Sequence, residues 1–189
     1  MAVNSKPNTK DSKPVFIALG SNLGDSRKII TDAMDCLQKL SAAPILKSSL
    51  WQTSPVDCPP GSPKFLNAVV GFIPRAEETP ESLLEKLQAL EKQFGRAPKK
   101  VSNEPRPLDL DLIAFGNETR STPDLILPHP RAHERRFVLQ PLCEIAPDYI
   151  FPAQNKTVAQ LLNELAGDEI CERPGHWLDA AGKIEEYQP

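Results

Sequence analysis

Two aspartates one residue apart, Asp109 and Asp111 in Arg106-Pro107-Leu108-Asp109-Leu110-Asp111-Leu112, are the residues of this sequence best placed for chemistry. A strand has a side-chain period of two, so both carboxylates project from one face while the leucines fill the other. Carboxylates that close repel each other, and a divalent cation removes the cost. Oxygen-only ligands suit magnesium, which commonly takes one or two carboxylates and completes its shell with water and substrate phosphates. A solvent-facing strand edge salted with acids would carry the same pair, so the surroundings matter. Arginines gather on both sides: Arg96 and Arg106 before the strand, Arg131, Arg135 and Arg136 after it. A guanidinium stays charged when desolvated and its planar fork matches phosphate oxygens, which suggests a polyphosphate clamp. The sequence has no G-x-x-x-x-G-K-[ST] run, so the clamp would not be a P-loop.

His129 stands between Pro128 and Pro130, which hold its backbone extended, and His133 follows four residues later. These two lack the partners a zinc site needs, so His129 reads as a structural or phosphate-bonding histidine. Phe65 and Asn67 share a strand face by the same period of two, and Phe137 follows the arginine loop. Two rings could sandwich a flat heterocycle while an amide reads its polar edge; ordinary core phenylalanines would give the same spacing.

Such groups need a frame. At 189 residues the chain is of single-domain size, with 40% hydrophobic and 25% charged residues, as in soluble globular proteins. The 20 prolines are about twice the usual share. They cluster at 55–63, 98–107, 123–130 and 141–152, which predicts shaped loops, three of them beside the candidate chemistry.

The apolar run 15–19 ends in Gly20-Ser21-Asn22-Leu23-Gly24 and predicts a buried strand and a turn, with Asp25 or Ser26 capping a helix through Ile29, Ile30, Ala33, Met34, Leu37 and Leu40. A second strand is expected within 45–53 and a third over 65–73. Thr79-Pro80 opens a helix whose stripe is Leu83, Leu87, Leu90 and Phe94, closed by Gly95. The fourth strand is 108–115, followed by a short helix near 136–142 and a last one from 157 to about 166. The order β-α-β-β-α-β predicts an α+β fold, a ferredoxin-like antiparallel sheet with helices packed on one face and a C-terminal helical extension. The expected domain is 15–166, with a polar, disordered N-terminal tail over 1–14 and a loose tail of unknown role over 167–189.

The net charge of -3 disfavours a general nucleic-acid binder, though not one polyanionic ligand held by local arginines. The four cysteines have no metal-site or disulfide-framework spacing and read as reduced thiols; no run approaches a membrane span, and the N-terminal tail lacks the apolar core of a signal peptide. The expected location is the cytoplasm.

Six segments resemble the 6-hydroxymethyl-7,8-dihydropterin pyrophosphokinases in order and spacing. They are Gly20-Ser21-Asn22-Leu23-Gly24, Thr53-Ser54-Pro55-Val56, Phe65-Leu66-Asn67-Ala68, Phe94-Gly95-Arg96, Pro105-Arg106-Pro107-Leu108-Asp109-Leu110-Asp111 and the run from Pro128-His129 to Arg136-Phe137. The resemblance implies transfer of pyrophosphate from ATP to the hydroxymethyl-dihydropterin in folate biosynthesis. It implies that Asp109 and Asp111 bind two magnesium ions and that Arg96 and Arg106 stabilise the moving group. Gln88, Glu91, Leu112, His129 and Arg135 would contact ATP. Thr53, Val56 and Asn67 would hydrogen-bond the pterin, with Phe65 and Phe137 stacked on it. The partners implied are these two small molecules, with no nucleic acid and no membrane, and the protein a monomer. Ser102-Asn103-Glu104 departs from the family, which usually places a basic residue, any residue and a small one there; Lys99 or Lys100 would have to supply the charge. Two other readings stay open on the residues alone: a two-metal nucleotidyl transferase, and a Mg-ATP-binding sensor without turnover.

Overall fold

The computed structural model describes residues 14–97, 104–166, 171–174, 177–178 and 184–185. The first half of the chain runs β1 (Val15–Ser21), α1 (Ser26–Gln38), β2 (Leu46–Lys47), β3 (Trp51–Thr53), β4 (Phe65–Phe72), α2 (Pro80–Gln93) and β5 (Asp109–Phe115). Small elements follow: β6 (Arg120–Ser121), β7 (Ile126–Leu127) and a 3-10 turn over Ala132–Glu134. Then come α3 (Arg136–Ile145), β8 (Ile150–Phe151), β9 (Lys156–Thr157), α4 (Val158–Glu164), β10 (Cys171–Glu172), β11 (Trp177–Leu178) and β12 (Ile184–Glu185). The main sheet has the order β10-β3-β4-β1-β5, with β2 also on β4 and every pairing antiparallel.

Local signals start the helices where the sequence places them. Asp25 caps α1 by accepting from the Lys28 amide. Thr79 and Ser82 form a capping box at α2, with Pro80 in the first turn, and Thr157 and Gln160 do the same for α4. The second expected strand is two short ones, β2 and β3, each paired with β4.

Helices cover both faces of the sheet, a correction to the expectation of one. On one face Ile30, Ala33, Met34 and Leu37 of α1 and Leu83, Leu87 and Leu90 of α2 pack on Val15, Ile17, Leu19, Leu66, Ala68 and Val70. On the other, Val138, Leu139 and Leu142 of α3 with Val158 and Leu161 of α4 cover Phe16, Ala18, Val69 and Ile113. The physical reason lies in β1 and β4, which are apolar on both faces and bury almost every residue. The expected loose tail is also corrected in part, because Cys171 and Glu172 form an edge strand with Cys171 opposite Thr53 and Glu172 opposite Gln52. Among the described residues no helix is long and apolar enough to cross a membrane.

Candidate active site

Where α3 and α4 stop covering their face of the sheet, a cavity opens to solvent. Its floor comes from three adjacent strands. Gly20 on β1 is opposite Asn67 of β4 on one side and opposite Asp109 of β5 on the other. Two residues back, Ala18 stands between Val69 and Asp111. The period of two therefore does bring Asp109 and Asp111 to one face, beside the face shared by Phe65 and Asn67. Gly20 leaves the space between them: a Cβ there would lie 3.0 Å from Asn67 Oδ1.

The charged half is held by salt bridges. Arg96 Nη1 donates to Asp109 Oδ1 at 2.6 Å and Arg106 Nη2 to Asp109 Oδ2 at 2.5 Å. Arg96 also pairs with Glu91 of α2, whose Oε1 accepts from the Leu110 amide at 2.8 Å. Burial pushes the Glu91 carboxyl above its usual range, and Asp109 and Asp111 add to the shift against the Leu110 N–H and Arg96. Asp111 is less tightly paired, with Arg135 Nη1 at 4.0 Å from Oδ2. Burial first, then the Asp109 carboxylate, lift its carboxyl to about 6, against the pull of Arg135, Arg106 and Arg96. This donor set suits a hard divalent cation: two oxygen ligands, with no thiolate or imidazole between them. Among the described residues no three His, Cys, Asp or Glu side chains gather into a ready-made metal site, so a cation here would draw its remaining oxygens from water or a phosphate.

Arg106 is positioned from a distance. Its amide donates to Asn22 Oδ1 at 2.8 Å and its carbonyl accepts from the Asn22 amide at 3.2 Å. Asn22 Nδ2 reaches the Pro63 carbonyl at 3.4 Å. The Arg106 guanidinium lies 5.5 Å from the centre of the Phe65 ring, and its Nε is buried without a partner.

The flat half lies across Gly20. Asn67 Nδ2 donates to Thr53 Oγ1 at 2.7 Å, and both residues are buried. Val56, Phe65 and Phe137 line the same cavity, with the Arg135 guanidinium 5.4 Å from the centre of the Phe137 ring. At the rim Asp57 and Arg131 form an ion pair at 3.0 Å.

His129 donates its amide to the Ile113 carbonyl at 2.9 Å, and its Nδ1 accepts from the Arg131 amide at 3.3 Å. Burial and the nearby Arg135 and Arg131 lower its pKa to about 4, so the ring is neutral at pH 7 and keeps its proton on Nε2 as a donor. Of the expected site residues, Arg96, Glu91, His129, Gln88 and Leu112 are not among those that line the cavity, though Arg96 reaches it through Asp109. Gln88 is exposed on α2, and the Leu112 side chain belongs to the core under α1 and α2, leaving only its backbone on the outer strand β5 for a ligand. Arg136 donates to the Leu165 carbonyl at 2.9 Å and so ties α3 to the end of α4. Lys99, Lys100, Ser102 and Asn103 lie outside the described residues; the Glu104 carbonyl accepts from Arg106 Nη1 at 3.1 Å.

Sequence reasoning missed Asn22 and Gly20 as site-forming residues. The signal available was the turn motif at the end of β1, which places a polar amide beside the strand that carries the aspartates.

An antiparallel α+β frame that sets paired carboxylates and guanidiniums beside an amide-lined slot belongs to the class of enzymes that move a polyanionic group onto a flat polar acceptor. The model of the 7,8-dihydro-6-hydroxymethylpterin-pyrophosphokinase family matches residues 16–147, and the chain belongs to that family. It is 36% identical to the 2-amino-4-hydroxy-6-hydroxymethyldihydropteridine pyrophosphokinase of Synechocystis sp. over 91% of this chain and 86% of that one. The enzyme of the same name from Pseudomonas aeruginosa is 35% identical over 85% of this chain and 97% of its own. The folic acid synthesis protein fol1 of Pneumocystis carinii is 36% identical over 86% of this chain, which spans 22% of that longer protein. Among solved structures, wild-type Plasmodium falciparum HPPK-DHPS with SDX-DHP superposes at a TM-score of 0.64 and 13% identity, over 82% of this chain and 44% of that one, a likeness of fold.

Proposed function

We propose that this protein transfers the pyrophosphoryl group of ATP to 6-hydroxymethyl-7,8-dihydropterin, releasing AMP, as a step of folate biosynthesis. The observation that carries this reading is that Asp109, Gly20 and Asn67, on three neighbouring strands, line one cavity. Charge handling and heterocycle recognition are thereby set side by side on a rigid floor. The pterin lies between Phe65 and Phe137, its polar edge read by Thr53, Asn67 and the Val56 backbone. Its hydroxyl attacks the β-phosphorus of ATP: the new bond joins that oxygen to the β-phosphorus, the bond to the α-phosphate oxygen breaks so that AMP leaves, and the hydroxyl proton is released to solvent. Catalysis of this kind is mainly alignment and charge neutralisation.

Asp109 and Asp111 would hold magnesium, two ions in our reading, and the metal would neutralise charge on the ATP oxygens. Arg96 and Arg106 serve as counter-charges to Asp109. Phosphate oxygens would offer these guanidiniums further partners, and the Asp109 carboxylate would serve as a ligand for the cation. His129 Nε2–H, Arg135, Gln88 and the Leu112 backbone contact ATP, with Glu91 holding Arg96 in place. The strand order β3-β4-β1-β5 supports the ferredoxin-like reading of the 15–166 domain. A cytoplasmic monomer working on these two small molecules completes the proposal.

The test is the identity of the nucleotide product. With magnesium, ATP and the pterin, AMP is expected in stoichiometric amount, dependent on pterin and lost on adding a chelator. ADP would mark an ordinary kinase and pyrophosphate a nucleotidyl transferase. No product at all would mark a sensor. Any of the three overturns the proposal.

A further inference from the structure

We propose that the C-terminal strand β10, through Arg173 and its partner Glu144, positions the pterin-reading strand β3 and so sets pterin affinity separately from nucleotide affinity. The inference rests on the function proposed above, because it takes Thr53 and Asn67 as the residues that meet the pterin.

β3 is only three residues long, Trp51–Thr53, yet it carries Thr53 into the cavity. So short a strand with one neighbour is weakly specified in register and orientation. Here it has two: β4 pairs Thr53 with Phe65 and Trp51 with Asn67, and β10 pairs Thr53 with Cys171 and Gln52 with Glu172. β10 has just two residues, and what pins it is Arg173, the residue that follows. Its guanidinium lies 5.2 Å from the centre of the Trp51 ring and forms an ion pair with Glu144 Oε1 on α3. The other oxygen, Oε2, accepts from the Ser49 amide at 2.7 Å, two residues before β3 begins. One carboxylate, 18% exposed, thus ties the α3 helix, the entry to β3 and the C-terminal segment together.

Neither Glu144 nor Arg173 lines the cavity, nor does Trp51, so they act as positioning residues. Their influence reaches the cavity through β3. Thr53 Oγ1 takes one proton of the Asn67 amide, which fixes which way that amide faces. The nucleotide half stands on β5 and the segment before it, separated from β3 by both β4 and β1. A loosened β3 therefore disturbs the pterin half first.

The experiment compares Arg173→Ala and Arg173→Lys in the full-length protein with the wild type. Dissociation constants for 6-hydroxymethylpterin and for a non-hydrolysable ATP analogue are measured alongside kcat at saturating substrates. Arg173→Ala is expected to weaken pterin binding roughly 3- to 30-fold, the range for residues that act through a packed network. ATP-analogue affinity and kcat should change less than about twofold, and Arg173→Lys, which keeps the ion pair, should recover part of the pterin affinity. Unchanged pterin affinity in Arg173→Ala would overturn the inference, and so would an equal loss for both ligands, which marks general loosening. A wild type that bound the nucleotide but no pterin would overturn the functional reading and this one with it. A wild type that binds both, with variants that match it, overturns this one alone.

Discussion

Replacing Asp111 by Asn should stabilise the metal-free protein at neutral pH while removing turnover. The carboxyl of Asp111 is lifted from 3.8 to about 6, by burial and then by the neighbouring Asp109. Taken at full value this displacement corresponds to ~3 kcal/mol. Because 37% of the Asp111 side chain is exposed, solvent screening reduces the contribution to about 1–2 kcal/mol. The folded-state value lies above the unfolded one, so the native state holds the proton more tightly. The stabilisation is fully present below 3.8 and is lost as pH rises through about 6. An asparagine has no such proton to lose. In EDTA at pH 7.5 the variant should therefore melt higher than wild type by roughly 2–8 °C, using the usual 2–4 °C per kcal/mol for a chain of this size. The gap should narrow as pH falls through about 6 and close below 3.8. Magnesium must displace the same proton, so wild-type affinity for the ion should climb with pH up to about 6 and then level off. Thermal melts of both proteins across this pH range, with and without magnesium, supply the test. A variant less stable than wild type at pH 7.5 in EDTA would refute the reasoning, as would a gap independent of pH.

Glu91→Ala should cost about 2–3 kcal/mol in denaturant unfolding, since it strands the buried Leu110 amide and one partner of Arg96. Glu91→Gln keeps an acceptor for that amide and should cost less than half as much; equal losses would mean the amide bond contributes little. Gly20→Ala places a methyl 3.0 Å from Asn67 Oδ1 and should weaken pterin binding roughly 5- to 30-fold, as a displaced buried amide does. Crystallography or pterin titration showing Asn67 and its affinity unmoved would remove the role assigned to the glycine.

The parts of this fold legible from sequence are those fixed by nearby residues. Asp25, Thr79 and Thr157 cap helices within three residues of themselves, and the two aspartates share a face by the pleat alone. The second layer of helices was legible in principle: β1 and β4 are apolar on both faces, as strands covered on both sides must be. What stayed hidden depends on pairings made by the fold. Asn67 meets Thr53 across 14 residues, and Asn22 captures the Arg106 amide across 84. β10 joins the sheet through backbone pairing of two residues, which leaves no side-chain periodicity to read. Glu91 looks like any acid on an amphipathic helix until its turn is seen to face β5.

The cross-strand row explains why so few residues can build this site. Adjacent strands lie about 4.8 Å apart, so from β5 through β1 to β4 the backbones carrying Asp109 and Asn67 are separated by roughly 10 Å. A side chain at the middle position would fill the gap, and glycine leaves it open for the substrates. The charged groups approach that gap from β5 and the segment before it, and the groups proposed to meet the pterin from β4 and β3. The row Asp109–Gly20–Asn67 is held by the ladders on both sides of β1, with Asn22, just past the end of β1, holding Arg106 to the same strand. On the proposed reading, alignment of the two substrates reduces to the register of three strands, and a register is the feature of a sheet least able to drift once both faces are buried. Moving the two halves relative to each other would require unpairing β1, a strand enclosed by both cores.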